Sequence, residues 1–255
     1  DDQREDVLAL LDAYRAGQRE NFEIEFQMRH RDGHPVDILA RAHVMKDGQG
    51  ESKRMVGTHV DTSARKKAEK EIQHLAFHDS LTGLPNRLLF GETLEQMLAN
   101  YRRDGLQFAV HLLDLDHFKA VNDDYGHAAG DEVLRVYSKN ILSIFRHHDM
   151  VARYGGEEFA VLLPNTDSDG TVRALNKVRR RANETRWQTN GKMADVPTFS
   201  AGVSLYKPGE SSSAFIERAD KALYRAKRLG RNRIELDMTY QTESGADAPR
   251  RRSTD

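Results

Sequence analysis

An α+β fold in two parts is predicted from three observations on the amino-acid sequence. Near the N-terminus, residues 22–26 and 36–44 alternate apolar with polar side chains, and residues 55–60 form a third short stretch, a pattern typical of an antiparallel meander. A strongly charged amphipathic segment follows at residues 63–77. Beyond it, helical and strand patterns alternate and two strands are adjacent, which favours a mixed sheet flanked by helices over a purely parallel one.

A short helix over residues 1–20 is predicted to begin the chain, because Val7, Leu8, Leu11 and Tyr14 recur at helical spacing. The three-stranded meander follows this helix. Such a meander is marginal as a domain by itself. We therefore expect further strands or a partner chain to cover its face.

The second part is predicted to alternate helices and strands, with glycines at several boundaries. In order, the pattern indicates helix 86–101, strand 107–113, helix 118–124, helix 128–146, strand 150–154, strand 158–163, helix 167–186, strand 197–206, helix 212–229 and strand 231–236. Residues 238–255 are polar, with an arginine triplet, and are predicted to form a disordered tail.

The charged segment between the two parts carries one apolar stripe. Ala64, Ala68, Ile72 and Leu75 recur at spacings of four, four and three residues, while lysine, arginine and glutamate fill the other faces. The stripe suits a two-stranded signalling helix. Since it is only about two heptads long, an isolated coiled coil would be weak, and a solvated connector helix is the alternative.

Composition excludes several classes of protein. The 255 residues suffice for one full domain and part of a second, and a mean hydropathy of −0.73 indicates a soluble chain. The formal net charge of −1 offers no electrostatic footprint for nucleic acid, and the absence of cysteine removes disulfides and thiolate chemistry. We expect a cytoplasmic location. The sequence opens with Asp1, so any membrane attachment is expected to come through upstream segments, with this chain as the cytoplasmic part of a membrane-bound sensor.

Acidic residues stand at two places where strands end. Asp114 and Asp116 directly follow a buried strand, and such carboxylates are costly unless they are solvated or bind something. Far along the chain, Gly155 and Gly156 permit a tight hairpin that is followed at once by Glu157. If this hairpin lies beside the first strand, the acids converge on a plausible magnesium site. An ordinary hairpin with a solvated acidic tip is the alternative.

Five motifs in order resemble the GGDEF family of diguanylate cyclases. They are DSLTGLPNR from residue 79, DLDHFKAVND from residue 114, YGH from residue 125, GD from residue 130 and GGEEF from residue 155. The resemblance covers residues 78–237 and implies a nucleotidyl-cyclase-like palm with a central mixed β-sheet flanked by helices.

A second resemblance concerns the meander. The stretches FQMRHRDG from residue 26 and VGTHVDT from residue 56 look like the C-terminal half of a PAS domain, an unrelated small meander being the alternative. The implied organisation is a partial PAS-like sensory domain at 1–62, a signalling helix at 63–77, a GGDEF domain at 78–237 and a tail at 238–255.

The GGDEF resemblance implies a metal site and catalytic residues. Asp114, Glu157 and the backbone carbonyl of Leu115 match the ligands of Mg²⁺, with Mn²⁺ as an alternative ion. Glu157 also matches the acceptor of the 3′-hydroxyl proton, and Glu158 lies beside it at the metal site. Lys119 matches a cationic contact to phosphate.

Substrate contacts are implied as well. Asn122 and Asp131 match the pair that recognises guanine, whose N1/N2 donor edge suits a carboxylate. Both residues could instead be helix caps, and His127 is interpreted as a packed core histidine. The remaining implied GTP contacts are His117, Phe118, Lys119, Arg153, Lys227 and Arg231, of which the C-terminal basic residues could instead form a solvated face.

A product-binding site is implied by Arg146 and Asp149, which resemble the RxxD inhibitory motif of the family. There an arginine fork and a carboxylate hold the product. A helix-end ion pair is the alternative. Lys177 falls near the position of a second arginine in relatives, and its lack of a planar fork predicts a reduced product affinity.

Together these features predict a homodimeric diguanylate cyclase that condenses two GTP into cyclic di-GMP and two pyrophosphates. Two alternatives remain: a catalytically silent module that binds cyclic di-GMP or GTP, and a related purine nucleotide cyclase that makes a 3′,5′-cyclic mononucleotide. The complete Gly-Gly-Glu-Glu turn favours an enzyme over the silent module. The combination of Asn122 with Asp131, and of Arg146 with Asp149, favours chemistry on two GTP molecules.

Overall fold

A computed structural model describes residues 3–46, 52–105, 107–189 and 192–237. The chain divides into two compact units, with the boundary between Ala76 and Phe77. Among the described residues, each helix is too short or too polar to cross a bilayer. The tail predicted over residues 238–255 lies outside the described residues.

The first unit contains α1 (Arg4–Arg15), β1 (Phe22–Arg29), β2 (Pro35–Lys46), β3 (Ser52–Asp61) and most of α2 (Ser63–Phe77). The three strands form an antiparallel sheet in sequence order, as the meander predicts. Every strand runs beyond its predicted bounds, because polar residues at the strand ends still pair through their backbones.

A small core holds the first unit together. Tyr14 of α1 packs against Phe22 and the buried Ala40 and Ala42 of the sheet, and its hydroxyl accepts a hydrogen bond from the Val44 N–H at 3.2 Å. The first turn of α2 is tied to the same sheet. Its Lys66 ammonium contacts Glu25 at 2.9 Å and Asp37 at 3.2 Å.

The second unit follows the predicted alternation. Its elements are α3 (Arg87–Asp104), β4 (Phe108–Leu115), α4 (Phe118–Tyr125), α5 (His127–Leu142), β5 (Met150–Arg153), β6 (Glu158–Pro164), α6 (Ser168–Glu184), β7 (Arg186–Thr189), β8 (Lys192–Asp195), β9 (Phe199–Leu205), α7 (Ser212–Arg228) and β10 (Ile234–Leu236). Five strands form a sheet in the order β10-β9-β4-β6-β5. Only the β10–β9 pair is parallel, so the predicted mixed sheet is confirmed.

Helices cover both faces of this sheet. One core contains Val133 and Tyr137 of α5 with Leu175 of α6, and the other contains Phe90 of α3 with Phe215 of α7. Since β4 lies in the middle of the sheet, all eight of its residues are buried. The strand thus offers a rigid base for the acidic residues at its end.

Some boundaries predicted for this unit are wrong, and one hairpin is missing from the prediction. The helix predicted over 128–146 ends at Leu142, the strand predicted over 231–236 begins at Ile234, and the β7–β8 hairpin was not predicted at all. The hairpin is anchored by Trp187, a buried residue that pairs with Ala194 and whose indole donates a hydrogen bond to the Asp195 carbonyl at 3.2 Å. The helical pattern of α6 continues up to β7. The sequence therefore shows no clear boundary between this helix and this strand.

Candidate active site

The end of β4 and the glycine turn between β5 and β6 lie side by side. The Leu115 N–H donates a hydrogen bond to the Glu157 carbonyl at 3.2 Å. Asp114 and Glu158 are directly opposite each other in the β4–β6 ladder. Strand and turn, distant in sequence, therefore meet at one edge of the sheet, which is the condition on which the predicted magnesium site depends.

Negative charge is concentrated at this edge. Burial raises the pKa of Glu157, the charges of Asp114 and Glu158 raise it further, and the Lys227 ammonium opposes them. The Asp114 side chain is only 10% exposed, and its Oδ2 lies 2.7 Å from the Lys227 Nζ. Glu158 and Lys227 line a common cleft of about 460 Å³. Asp114 thus pairs with the Lys227 ammonium, and Glu157 interacts electrostatically with Asp114, Glu158 and Lys227.

This donor set fits a hard divalent cation. Carboxylate oxygens are the protein ligands that Mg²⁺ prefers, usually with phosphate oxygens completing its shell. Burial is the main cause of the raised pKa of Glu157, and a bound cation would offset the second cause, the repulsion from Asp114 and Glu158. Asp114 and Glu157 remain the predicted ligands of such an ion, together with the carbonyl of Leu115, the last residue of β4.

A turn that begins α4 lies directly beyond β4. His117 adopts φ 59°, a left-handed conformation, and Phe118 is buried beneath the first turn of the helix. His117 and Lys119 are exposed on either side of Phe118. The free N–H groups of a helix N-terminus attract anions, so this turn can face phosphate oxygens.

The two residues predicted to recognise guanine come from neighbouring helices. The Asn122 carboxamide packs so closely over Gly130 that a Cβ there would collide with it and with the Phe118 ring. Asp131, the next residue of α5, is exposed. Asn122 of α4 therefore contacts the residue of α5 that immediately precedes Asp131.

The alternative interpretations of this pair are wrong. Neither residue is a helix cap, because the N-cap of α4 is His117 and the N-cap of α5 is Gly126. The expectation that His127 is a packed core residue is also wrong, because its side chain is exposed in the first turn of α5.

Asp116 has a role that the sequence did not reveal. Its buried carboxylate accepts hydrogen bonds from Thr198 at 2.8 Å, Ser200 at 2.7 Å and the backbone N–H of Asn232 at 3.0 Å. Arg231 and Asn232 both have positive φ, so the turn after α7 needs such an anchor. Asp116 thereby ties the segment that carries Lys227 and Arg231 to the end of β4.

The glycine turn is braced by Arg153. Its guanidinium donates to the Gly156 carbonyl at 2.8 and 3.1 Å and to both Asp79 oxygens at 2.9 and 3.0 Å. Burial would raise the pKa of Asp79, but hydrogen bonds from Thr82 and Arg153 outweigh it and lower the pKa. These contacts occupy the guanidinium and are all made within the chain. The GTP contact predicted for Arg153 stays a prediction.

Comparison with known proteins assigns the family. The model of the family described as "Diguanylate cyclase, GGDEF domain" matches residues 76–233, more than half of the chain. This chain belongs to the GGDEF family. The model of the PAS fold matches residues 1–59, so a PAS-like part precedes the GGDEF domain.

Individual GGDEF proteins are similar over the same region. Diguanylate cyclase DgcP of Pseudomonas aeruginosa is 44% identical over 161 residues, which are 63% of this chain and 24% of the relative. Diguanylate cyclase A of Treponema denticola is 46% identical over 170 residues, which are 65% and 46%. The chain thus spans less than half the length of these curated relatives.

Among solved structures, the coiled coil and GGDEF domain of DgcB from Caulobacter crescentus in complex with c-di-GMP is similar. The two share 33% identity with a TM-score of 0.65, over 68% of this chain and 92% of that one.

A second cleft of the GGDEF domain contains the residues predicted to bind product. It measures about 590 Å³ and is lined by Arg146 and Asp149 together with Lys177 of α6. Arg173, one turn before Lys177, also lines it and was not singled out from the sequence. Asp149 accepts a hydrogen bond from the Arg146 backbone N–H at 2.7 Å, which leaves the Arg146 side chain exposed at the rim.

Proposed function

We propose that this chain is a diguanylate cyclase that condenses two GTP molecules into cyclic di-GMP and releases two pyrophosphates. The observation that carries the proposal is the meeting of Asp114 with an intact Gly-Gly-Glu-Glu turn at one edge of the sheet. The curated GGDEF relatives named as diguanylate cyclases support it.

The proposed roles follow the chemistry of the site. Asp114, Glu157 and the Leu115 carbonyl would hold Mg²⁺ or Mn²⁺, which when bound neutralises charge on the triphosphate. Glu157 accepts the proton of the attacking 3′-hydroxyl as general base. Glu158 adds negative charge beside the ion.

The nucleotide is held by groups around this edge. Asn122 and Asp131 recognise guanine, and the turn from His117 to Lys119 binds phosphate through its backbone and the Lys119 ammonium. The remaining proposed phosphate contacts are Lys227, Arg231 and Arg153.

Catalysis on two GTP molecules requires two chains, because each site binds one nucleotide and each 3′-oxygen attacks the other α-phosphorus. We propose that the exposed stripe on α2 pairs two chains, with residues 1–62 as the sensory part and residues 78–237 as the catalytic part. We also propose that the second cleft binds the product and that product bound there inhibits turnover. The residues that would contact it are Arg146, Asp149, Arg173 and Lys177. The GGDEF structure of DgcB in complex with c-di-GMP supports product binding.

The test is to incubate the purified chain with GTP and Mg²⁺ and to identify the products by mass spectrometry. We expect cyclic di-GMP from the wild-type chain and at least about a hundredfold less from Glu157→Ala, because metal and base are both lost. Glu184→Ala, at an exposed position on α6, is the matched control and should retain activity.

Three outcomes would contradict the proposal. A folded wild-type chain that makes no cyclic di-GMP would favour the silent binding module. Turnover of ATP alone would favour another nucleotide cyclase. Undiminished product from Glu157→Ala would remove the metal assignment.

A further inference from the structure

The tip of the β1–β2 hairpin holds two histidines and an aspartate in a fixed frame. The His30 N–H donates to the His34 carbonyl and the Gly33 N–H donates to the His30 carbonyl, each at 2.9 Å. Gly33 adopts φ 92°, which closes the three-residue loop between the histidines. His30 and His34 therefore face each other across the base of the loop, and Asp32 lies at its tip.

The side chains of these residues point into one small volume. The two imidazole rings are stacked with centroids 4.6 Å apart, and the His30 Nδ1 lies 3.2 Å from an Asp32 carboxylate oxygen. One ligand atom from each of the three residues can be chosen so that all lie within 4.8 Å of one another. In a tetrahedral zinc site the ligand atoms are about 3.3 Å apart, given metal–nitrogen bonds of about 2.0–2.1 Å. Small rotations of exposed side chains would close that difference.

We infer that His30, Asp32 and His34 form a binding site for a divalent transition-metal ion, with Zn²⁺ as its best-suited occupant. Two imidazole nitrogens with one carboxylate oxygen are typical of zinc, nickel and copper sites, whereas Mg²⁺ is bound through oxygen alone. Three protein ligands leave one position for water. The site is separate from the carboxylates at the end of β4, which present oxygen ligands only.

A second carboxylate, Asp61, lies near the hairpin tip. Hydrogen bonds from Ser63 chiefly lower the pKa of Asp61, and the charges of His34 and His30 lower it further, so this carboxylate lies within electrostatic reach of the histidines. Arg31 is the competing cation, with its Nε 3.6 Å from an Asp32 oxygen. Its side chain is 89% exposed, so an ion can displace it at little cost.

The position of this site connects it to the signalling helix. Asp61 is the last residue of β3, and its carboxylate accepts a hydrogen bond from the Ser63 N–H at 2.8 Å, where α2 begins. A cation bound by the histidines would attract the Asp61 carboxylate, which now accepts the hydrogen bond from Ser63, the first residue of α2. Metal binding at the hairpin tip is therefore placed to affect the start of that helix.

The experiment measures Zn²⁺ binding to the untagged chain by calorimetry, with saturating Mg²⁺ present to fill the carboxylate site. We expect one zinc site, and at least about tenfold weaker binding in His34→Ala, because even outer partners of metal ligands contribute about that much. Asp32→Asn should weaken binding while it preserves the shape of the loop. His43→Ala, at an exposed position on β2, is the matched control and should bind as the wild type does.

A second measurement locates the ion independently of affinity. Zinc should protect His30 and His34, and not His43, from carbethoxylation by diethylpyrocarbonate, as measured by peptide mass spectrometry. Unchanged zinc affinity in His34→Ala and Asp32→Asn, or equal protection of all three histidines, would overturn the inference. Neither measurement uses cyclase activity, so their outcome is independent of the proposed function.

Discussion

At the residue scale, the surroundings of Glu157 oppose the charge that it needs to bind a cation. It must be ionised to bind a cation, yet burial and the charges of Asp114 and Glu158 raise its pKa above the ordinary value of 4.5. Because the folded chain binds this proton more tightly than the unfolded chain, the protonated form stabilises the fold, and that stability is lost as pH rises through the raised pKa. The charged form of Glu157 thus lowers the stability of the metal-free fold at pH values above the raised pKa.

Glu157→Gln should separate stability from activity. The amide stays neutral, so without Mg²⁺ we expect a higher melting temperature than the wild type at about pH 8 and a much smaller difference at about pH 5. Cyclase activity should be lost. Thermal unfolding at the two pH values measures the first effect. An equal difference at both would mean that the Glu157 charge does not weaken the fold.

His111 is a second residue whose surroundings oppose its charge. It lies in β4 with its side chain fully buried, and within the described residues neither ring nitrogen has a hydrogen-bond partner. Burial lowers the pKa of His111 to about 3. The unfolded chain therefore takes up a proton at higher pH than the folded chain, and stability falls as pH drops from about 6.5 towards 3.

His111→Leu should stabilise the GGDEF domain. Removing unpaired polar atoms from the core should raise the free energy of unfolding by about 1 kcal/mol at neutral pH. The gain should grow by up to about 1.4 kcal/mol per pH unit on acidification. Urea unfolding at several pH values measures both. His147→Leu, at an exposed position, is the control. A gain that did not grow at low pH would show that His111 is protonated or hydrated in the folded chain.

At the scale of elements, two loops form one structure around the glycine turn. The loop from Phe77 to Asn86 is closed by the Asn86 N–H to Phe77 carbonyl hydrogen bond at 2.9 Å. Its Asp79 then holds Arg153, which holds the Gly156 carbonyl. Arg153 is thus a positioning residue for Glu157, in addition to any contact with GTP.

Asp79→Asn should impair turnover without loss of substrate binding. An amide cannot pair with the guanidinium as the carboxylate does, so the turn should shift and kcat should fall by about 10- to 100-fold. KM for GTP should change less than kcat, because the proposed guanine contacts on α4 and α5 are untouched and only the proposed phosphate contact of Arg153 is affected. Steady-state kinetics measure both constants. Asp195→Asn, which removes an exposed ion pair with Arg186, is the control. A change in KM alone would contradict the positioning role.

Most elements of this fold were predictable from sequence, and the parts that were not share a cause. Period-two and helical patterns identified strands and helices, and the motifs identified the acids at the ends of β4 and the glycine turn. The partners of Asp116 and Arg153 were missed because they are distant in sequence, 116 residues away for Asn232 and 74 for Asp79. Local periodicity contains no information about such contacts.

At the scale of the whole molecule, α2 presents an apolar stripe that the described residues of the single chain leave exposed. The side chains of Ile72 and Leu75 are 66% and 61% exposed. In the described part of α2 no residue is buried. The proposed dimer would cover this stripe and thereby pair two catalytic domains.

Ile72→Ser with Leu75→Ser should weaken that dimer. Burying one such side chain contributes about 1.5–3 kcal/mol, so each loss should raise the dimer dissociation constant by about tenfold or more. Sedimentation velocity measures the association, and activity per chain should become steeply dependent on concentration. Lys67→Ser with Lys70→Ser, on the exposed charged face, is the control. An unchanged dimer would exclude α2 as the pairing surface.

The contact between Lys227 and Asp114 has a consequence for how the proposed enzyme fills its site. A divalent ion that binds Asp114 is repelled by the Lys227 ammonium, which lies 2.7 Å from Oδ2 of that carboxylate. The triphosphate of an incoming nucleotide offers that ammonium a new anionic partner. Ion and nucleotide should therefore each improve the other's affinity, a reciprocal cooperativity that would keep the proposed cyclase idle when either one is scarce.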